Sequence, residues 1–173
     1  TVAVSAPTLY YYCYYHSGMG GQANTNSTLG SSNFDGTLQA TVKANQTAGF
    51  SIGLFTAQTS GSATVGHGLG VAPDVVITKS RTLTSSWYSY HQAIGQDGWI
   101  LLDSNGAATT GNSAVWNPAP TSSVFTVGTS TNVNKDGNNY MAYCFTSVQG
   151  FSKIGSYKGN GNANGVFVYT GFK

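Results

Sequence analysis

The chain has no glutamate. All five of its acidic residues are aspartates, and charged residues make up only 7% of its 173 positions. An ordinary soluble domain carries roughly 25%. The surface must therefore be built from Ser, Thr, Asn, Gln and Gly, the composition of extracellular fibres, adhesins and virion proteins rather than of a cytosolic enzyme. The net charge is +2, and Lys43, Lys79, Arg81, Lys135, Lys153, Lys158 and Lys173 are scattered. Nucleic-acid binding by counterion release needs clustered cations, so it is excluded as the expected role. No apolar run approaches the roughly 20 residues of a membrane-spanning helix. Long amphipathic stretches are missing too: no segment keeps an i, i+3, i+4, i+7 apolar spacing.

Catalytic patterns are equally scarce. No Gly-x-Ser-x-Gly nucleophile turn occurs, and no glutamate–aspartate pair is present for glycoside hydrolysis, which needs two carboxylates at a set distance. His67, in Gly66-His-Gly-Leu-Gly70, has only Asp74 near it in sequence and reads as a histidine packed in a glycine-permitted turn. His91 follows Trp87-Tyr-Ser-Tyr90 on a strand face and reads as packing. His16 has no partner in the sequence. Asn132-Val-Asn-Lys-Asp136-Gly137 imitates the first half of a calcium loop. Its twelfth position is Tyr143 and not the closing glutamate, so a turn explains it. The expectation is a protein without catalytic residues, metal site or cofactor, and not an enzyme.

The only cysteines are Cys13 and Cys144. They are either a disulfide joining the two ends in an oxidising compartment or two small buried apolar residues on separate strands. Asn26-Ser-Thr28 and Asn45-Gln-Thr47 are glycosylation sequons.

What the chain does have is strands, turns and aromatics. Short β-branched and aromatic runs alternate with Gly, Asn and Ser clusters. Strands are expected over residues 9–15, 37–43, 50–55, 63–65, 74–79, 87–91, 99–102, 114–117, 124–127, 140–146, 153–157 and 166–170. Asx-Gly pairs at Asp35-Gly36, Asp97-Gly98, Asn105-Gly106, Asp136-Gly137, Asn160-Gly161 and Asn164-Gly165 mark turns. The fold class expected is an all-β sandwich or jelly roll, with strand extensions at both ends. Its core is expected to hold Phe50, Ile52, Val75, Ile77, Ile100, Leu102, Phe125, Tyr143 and Phe145, the apolar residues of a period-two alternation.

A motif occurs twice. Tyr12-Cys-Tyr14 corresponds to Tyr143-Cys-Phe145, and Gly49-Phe-Ser51 to Gly150-Phe-Ser152. The two Gly-Phe-Ser starts lie one β-domain's length apart. Repeats at a fixed period signal arrays. Residues 1–36 then form a terminal strand and a Gly/Asn/Ser-rich linker, 37–148 the main domain, and 149–173 the start of a second repeat that packs on the main domain or on a neighbouring subunit. Tyr10, Tyr12, Tyr14, Phe167, Tyr169 and Phe172 are the expected assembly contacts. Tyr10 to Tyr15 place aromatics on both faces of one strand, and a strand with two apolar faces needs two covers. Aromatics amount to 13% of the chain. Beside so many amides and hydroxyls, Trp87, Tyr88, Trp99 and Trp116 are candidate glycan contacts.

The ordered motifs carry a resemblance. Ala40-Thr-Val-Lys-Ala-Asn-Gln-Thr-Ala-Gly-Phe-Ser-Ile52 is followed by Ala63 to Lys79, Trp87-Tyr-Ser-Tyr-His91, Pro120 to Gly128, Tyr140 to Tyr157 and Gly165 to Lys173. Together they resemble a repeat domain of tailed-phage virion and tail-fibre-type proteins, as found in phages of marine bacteria and cyanobacteria. In those proteins the equivalent of Gly171-Phe-Lys173 runs on into Pro and another strand, so the chain is expected to stop inside a repeat. The resemblance implies a β-rich structural subunit of a virion appendage or extracellular filament, located on a virion or outside the cell. It supplies no catalytic residues. The expected partners are copies of the same chain and host-surface carbohydrate, with no nucleic acid and no membrane insertion. Two other functions stay open, a host-surface glycan-binding adhesin and, further off, a polysaccharide depolymerase.

Overall fold

The structure is a computed structural model. It describes residue 15, residues 30–58 and 61–172, and the backbone of 9–12 and 20–23. All regular elements among them are strands: β1 (Leu9–Tyr12), β2 (Gly20–Ala23), β3 (Ser31–Asn33), β4 (Ala40–Asn45), β5 (Phe50–Thr56), β6 (Ala63–Gly66), β7 (Val75–Ser80), β8 (Tyr88–His91), β9 (Ile100–Leu101), β10 (Val124–Val127) and β11 (Asn139–Phe145). The chain is all-β, and the described part contains no helix.

The body is a seven-stranded sheet in the order β3-β4-β5-β11-β7-β8-β9, with β6 and β10 forming a small second sheet and β1 and β2 a separate pair. Every strand pair is antiparallel. β11 is the hub, with Cys144 opposite Ser51 of β5 on one side and Val76 of β7 on the other. The hairpin from β4 to β5 is closed by its own turn chemistry. Ala48 N–H donates to Asn45 Oδ1 at 3.0 Å, and Gly49 sits at φ 64° to start β5. The large sheet also takes in Ser31–Asn33, paired to β4, a stretch that reads as linker in the sequence.

Directly opposed residues share a face of the sheet. One face carries Ala40 and Val42 of β4, Ser51, Gly53 and Phe55 of β5, Tyr140, Ala142 and Cys144 of β11, Val76, Thr78 and Ser80 of β7, and Tyr90 of β8, all buried. The β6–β10 pair covers it with Ala63, Val65, Phe125 and Val127, and the long connections add Val115, Trp116 and Val133. Leu38 N–H donates to Thr64 O at 3.0 Å and ties the small sheet to the chain entering β4. Gly128 N–H to Val115 O, 2.8 Å, ties β10 to the Trp116 turn. This is a sandwich-like arrangement whose second layer is half sheet and half loop.

The alternation expected from the sequence is present, but the core lies on the other side of it. Of the nine residues expected inside, only Phe125 is buried in the core, at 1% exposure. Phe50, Val75, Ile77, Ile100, Tyr143 and Phe145 are half-buried on the opposite face, and Ile52 and Leu102 are exposed. The physical reason is volume. The covering layer brings its own bulky side chains, Trp116 and Phe125 above all, so the sheet face beneath it is largely Ala, Ser, Gly, Thr and Cys. A close-packed interior needs that match of large against small. Periodicity separates two faces and does not say which one is covered.

Candidate interaction face

Apart from Phe55, Tyr90 and Tyr140, which face the core, the larger apolar residues of the sheet stand on its uncovered side. β5 contributes Phe50, Ile52 and Leu54, β7 Val75 and Ile77, and β11 Met141, Tyr143 and Phe145, in register across the three central strands. Their rings form a continuous ladder. Phe50 and Phe145 lie 4.8 Å apart, Phe50 stacks on Tyr143 at 6.4 Å, and Trp87 stacks on Tyr143 at 6.3 Å with planes 17° apart. Two troughs flank the Phe50 ring. One, about 600 Å³, is floored by Phe50, Val75, Ile77 and Phe145, with Phe151 and Ile154 at its lip. The other, about 630 Å³, runs from Phe50 and Ile52 to Lys43 and Asn45. Two cations share this face, Lys43 on β4 and Lys79 near the end of β7. Lys43 is exposed on β4, and the Lys79 ammonium donates to Ser85 O at 2.6 Å.

The sequence-predicted aromatics do not share one surface. Trp87 lies on the open face, its backbone N–H donating to Asp103 Oδ1 at 3.2 Å. Tyr88 and Trp99 pack together at 6.0 Å against the core. Trp116 is 1% exposed, edge-on to Tyr90 at 6.4 Å. It is a core residue and cannot meet a glycan. Of the expected assembly contacts, Tyr10 and Tyr12 belong to β1, Tyr14 is outside the described residues, and Phe167, Tyr169 and Phe172 are exposed in a C-terminal segment without strand pairing.

The remaining candidates hold structure. His67 is 1% exposed. Its Nε2–H donates to Thr121 O at 3.1 Å while Nδ1 accepts Leu69 N–H at 3.2 Å, the neutral tautomer. Burial holds its pKa below the ordinary histidine value, only partly offset by the Thr121 carbonyl and the distant Asp35 carboxylate. His91 Nδ1 accepts Ala93 N–H at 3.1 Å. Within the calcium-like stretch, Asn134 turns its amide inward, donating to Gly61 O and Gly128 O at 2.6 and 3.1 Å. Asp35, Asp74, Asp97 and Asp103 each accept a hydrogen bond from a loop N–H or an asparagine amide. Burial pushes the Cys144 thiol up to about 12, with the Ser51 hydroxyl drawing it slightly back, so it is a protonated, apolar core residue. Cys13, His16 and Asn26 lie outside the described residues. Asn45 is exposed and braces its own turn.

Sequence reasoning placed Phe50, Ile52, Val75, Ile77, Tyr143 and Phe145 inside the core and so missed them as a surface. The signal was present. Val75-Val-Ile77 and Tyr143-Cys-Phe145 are apolar at consecutive positions, the same two-faced pattern that Tyr10 to Tyr15 display.

Residues 23–173 match a family model described as a domain of unknown function, DUF7483. The chain belongs to the DUF7483 family. No curated protein and no solved structure matches it. The DUF7483 match takes in the whole seven-stranded sheet and the C-terminal segment beyond it.

Proposed function

We propose that this chain is a structural subunit of an assembly outside the cell, a virion appendage such as a tail fibre or an extracellular filament, that packs through the open face of its large sheet. One observation carries the reading: the face of the sheet that its own second layer leaves uncovered carries Phe50, Ile52, Val75, Ile77, Tyr143 and Phe145. A contiguous apolar surface of this kind marks an interaction site. The paucity of charge supports it, because little like-charge repulsion opposes close packing of copies. The motif series resembling tail-fibre-type repeats points the same way. The chain acts by assembling and not by turnover.

The test is the mass of the purified chain by light scattering over a range of concentrations. The native chain is expected to self-associate, and Ile52→Lys, a substitution on the open face at a position already 37% exposed, is expected to weaken association while leaving the circular dichroism spectrum unchanged. A native chain that stays monomeric at high concentration would sink the proposal. A glycan-binding role is favoured by a single feature, the Trp87–Tyr143 stack at the edge of the ladder. It is tested by glycan-array binding of the native chain and of Trp87→Ala.

A further inference from the structure

The open face is one of two uncovered apolar surfaces among the described residues. The other is the segment from Gly155 to Phe172, every residue of which is exposed. Tyr157 is 72%, Phe167 89% and Tyr169 76% exposed. Val166-Phe-Val-Tyr-Thr170 is strand-forming sequence, yet it pairs with nothing among the described residues. The side-chain hydrogen bonds of this segment stay within it: Asn160 Nδ2–H to Asn164 O at 2.9 Å, Asn162 N–H to Asn160 Oδ1 at 3.1 Å, and the Thr170 hydroxyl to Phe172 O at 3.2 Å. The space beside Gly155, Gly159, Gly161 and Gly165 is open. The segment therefore does not lie on its own domain.

Its root is informative. Phe151 and Ile154 form the lip of the trough beside Phe50. Gly150, at φ 79°, repeats Gly49, at φ 64°, and each is followed by Phe-Ser. The segment thus opens like β5, the strand that supplies Phe50 and Ile52 to the face, but no neighbouring strand receives it. Its only charge is Lys158, and the cations on or beside the face are Lys43, Lys79 and Lys153. The nearest carboxylates, Asp74 and Asp103, are each engaged by a backbone N–H of their own chain, so ion pairing is not the main drive for their union. Aromatic and aliphatic surface is what both offer.

We infer that residues 155–172 of one copy lie across the open face of a second copy, with the Phe167 and Tyr169 side chains in the troughs on either side of Phe50. This rests on the assembly proposed above and adds the occupant of the face. Donor and acceptor are different surfaces, so the contact is heterologous. It closes as a reciprocal swap or runs on from copy to copy.

A complementation experiment tests it. The segment variant is Phe167→Asp with Tyr169→Asp, both at positions that bury nothing in the domain, and the face variant is Ile52→Lys. Each alone is expected to self-associate at least tenfold more weakly than the native chain. Mixed, they are expected to form a one-to-one complex of twice the monomer mass, because the face variant brings an intact segment and the segment variant an intact face. A segment variant that assembles as the native chain does would overturn the inference and leave the assembly role standing. So would two variants that fail to complement. Amide protection of residues 166–170 in a native chain that is monomeric would show the segment folded back on its own face, and would overturn both.

Discussion

His67 shows how a residue type that invites a catalytic reading becomes a structural one. Flanked by Gly66 and Gly68, it is fixed in place by two hydrogen bonds and kept neutral by burial, which outweighs the opposing pull of the Thr121 carbonyl. A base whose pKa is lowered by folding favours the unfolded chain once acid can protonate it. The unfolded histidine takes up its proton near 6.5 while the folded one does not. The stability contribution is therefore complete above that pH and declines as the pH falls below it. Urea midpoints are expected to drop between pH 7.5 and pH 5, and His67→Gln is expected to flatten that dependence at a lower overall stability. An unchanged slope in the variant would show that other groups govern it. Gly36 makes a different point. The sequence reads Asp35-Gly36 as a turn needing positive φ, but a Cβ there would stand 2.3 Å from Thr64 O, against backbone that cannot move aside. Close approach of the chain to β6 is what requires glycine. Gly36→Ala is expected to cost about 1–3 kcal/mol, as overpacking does, measured by denaturant melts.

At the scale of elements, β11 organises the molecule. Its first inward side chain, Tyr140, stacks on Phe55 at 5.4 Å. Its hydroxyl donates to Thr131 O and accepts Lys135 N–H, at 3.2 and 2.9 Å, which pins the preceding loop to the strand. Tyr140→Phe removes both bonds and keeps the ring. A loss of about 1–2 kcal/mol is expected, which for a chain of this size lowers Tm by roughly 2–8 °C. Scanning calorimetry measures it. Strands with dense β-branched and aromatic sequence, β5, β7, β10 and β11, were legible from residues alone. β2 and β3 were not, because Gly20-Gly-Gln-Ala23 and Ser31-Ser-Asn33 owe their conformation to the strand beside them. The reverse error has the same cause. Ala114–Asn117 has strand-like letters but forms a turn that drops Val115 and Trp116 into the core. Residues 153–157 and 166–170 have no neighbour among the described residues to complete a ladder, and a strand is defined by its partner.

The whole molecule presents an apolar face, an apolar segment and almost no charge with which to bind. Association driven by such surfaces responds weakly to screening and is strengthened by salts excluded from protein surface. Self-association is expected to change little between 50 and 500 mM sodium chloride, about a tenfold span of ionic strength, and to rise in ammonium sulfate. Dissociation by sodium chloride alone would point to ion pairs instead, and against the face as the contact. The same features bear on the candidate site. That aromatics were in surplus was plain from composition. Which aromatics reach the surface was not: Trp116 and Phe50 look alike in sequence terms, and tertiary ties such as Gly128 N–H to Val115 O and Ser130 N–H to Ala114 O hold the Trp116 turn under cover.

By itself the sequence determined that this chain is all-β, because turn residues and period-two alternation are local properties of neighbouring residues. It also determined that the surface is nearly uncharged and that a Gly-Phe-Ser start recurs. Only the tertiary structure decided which side of the sheet is core. That choice depends on a layer contributed by residues 61–72 and 114–134, far along the chain from most of the strands they cover. Once that layer brought Trp116, Phe125 and Val133 onto the face of Ser51, Phe55, Val76, Tyr140 and Cys144, the residues alternating with them, Phe50, Ile52, Ile77 and Tyr143 among them, were left facing outward.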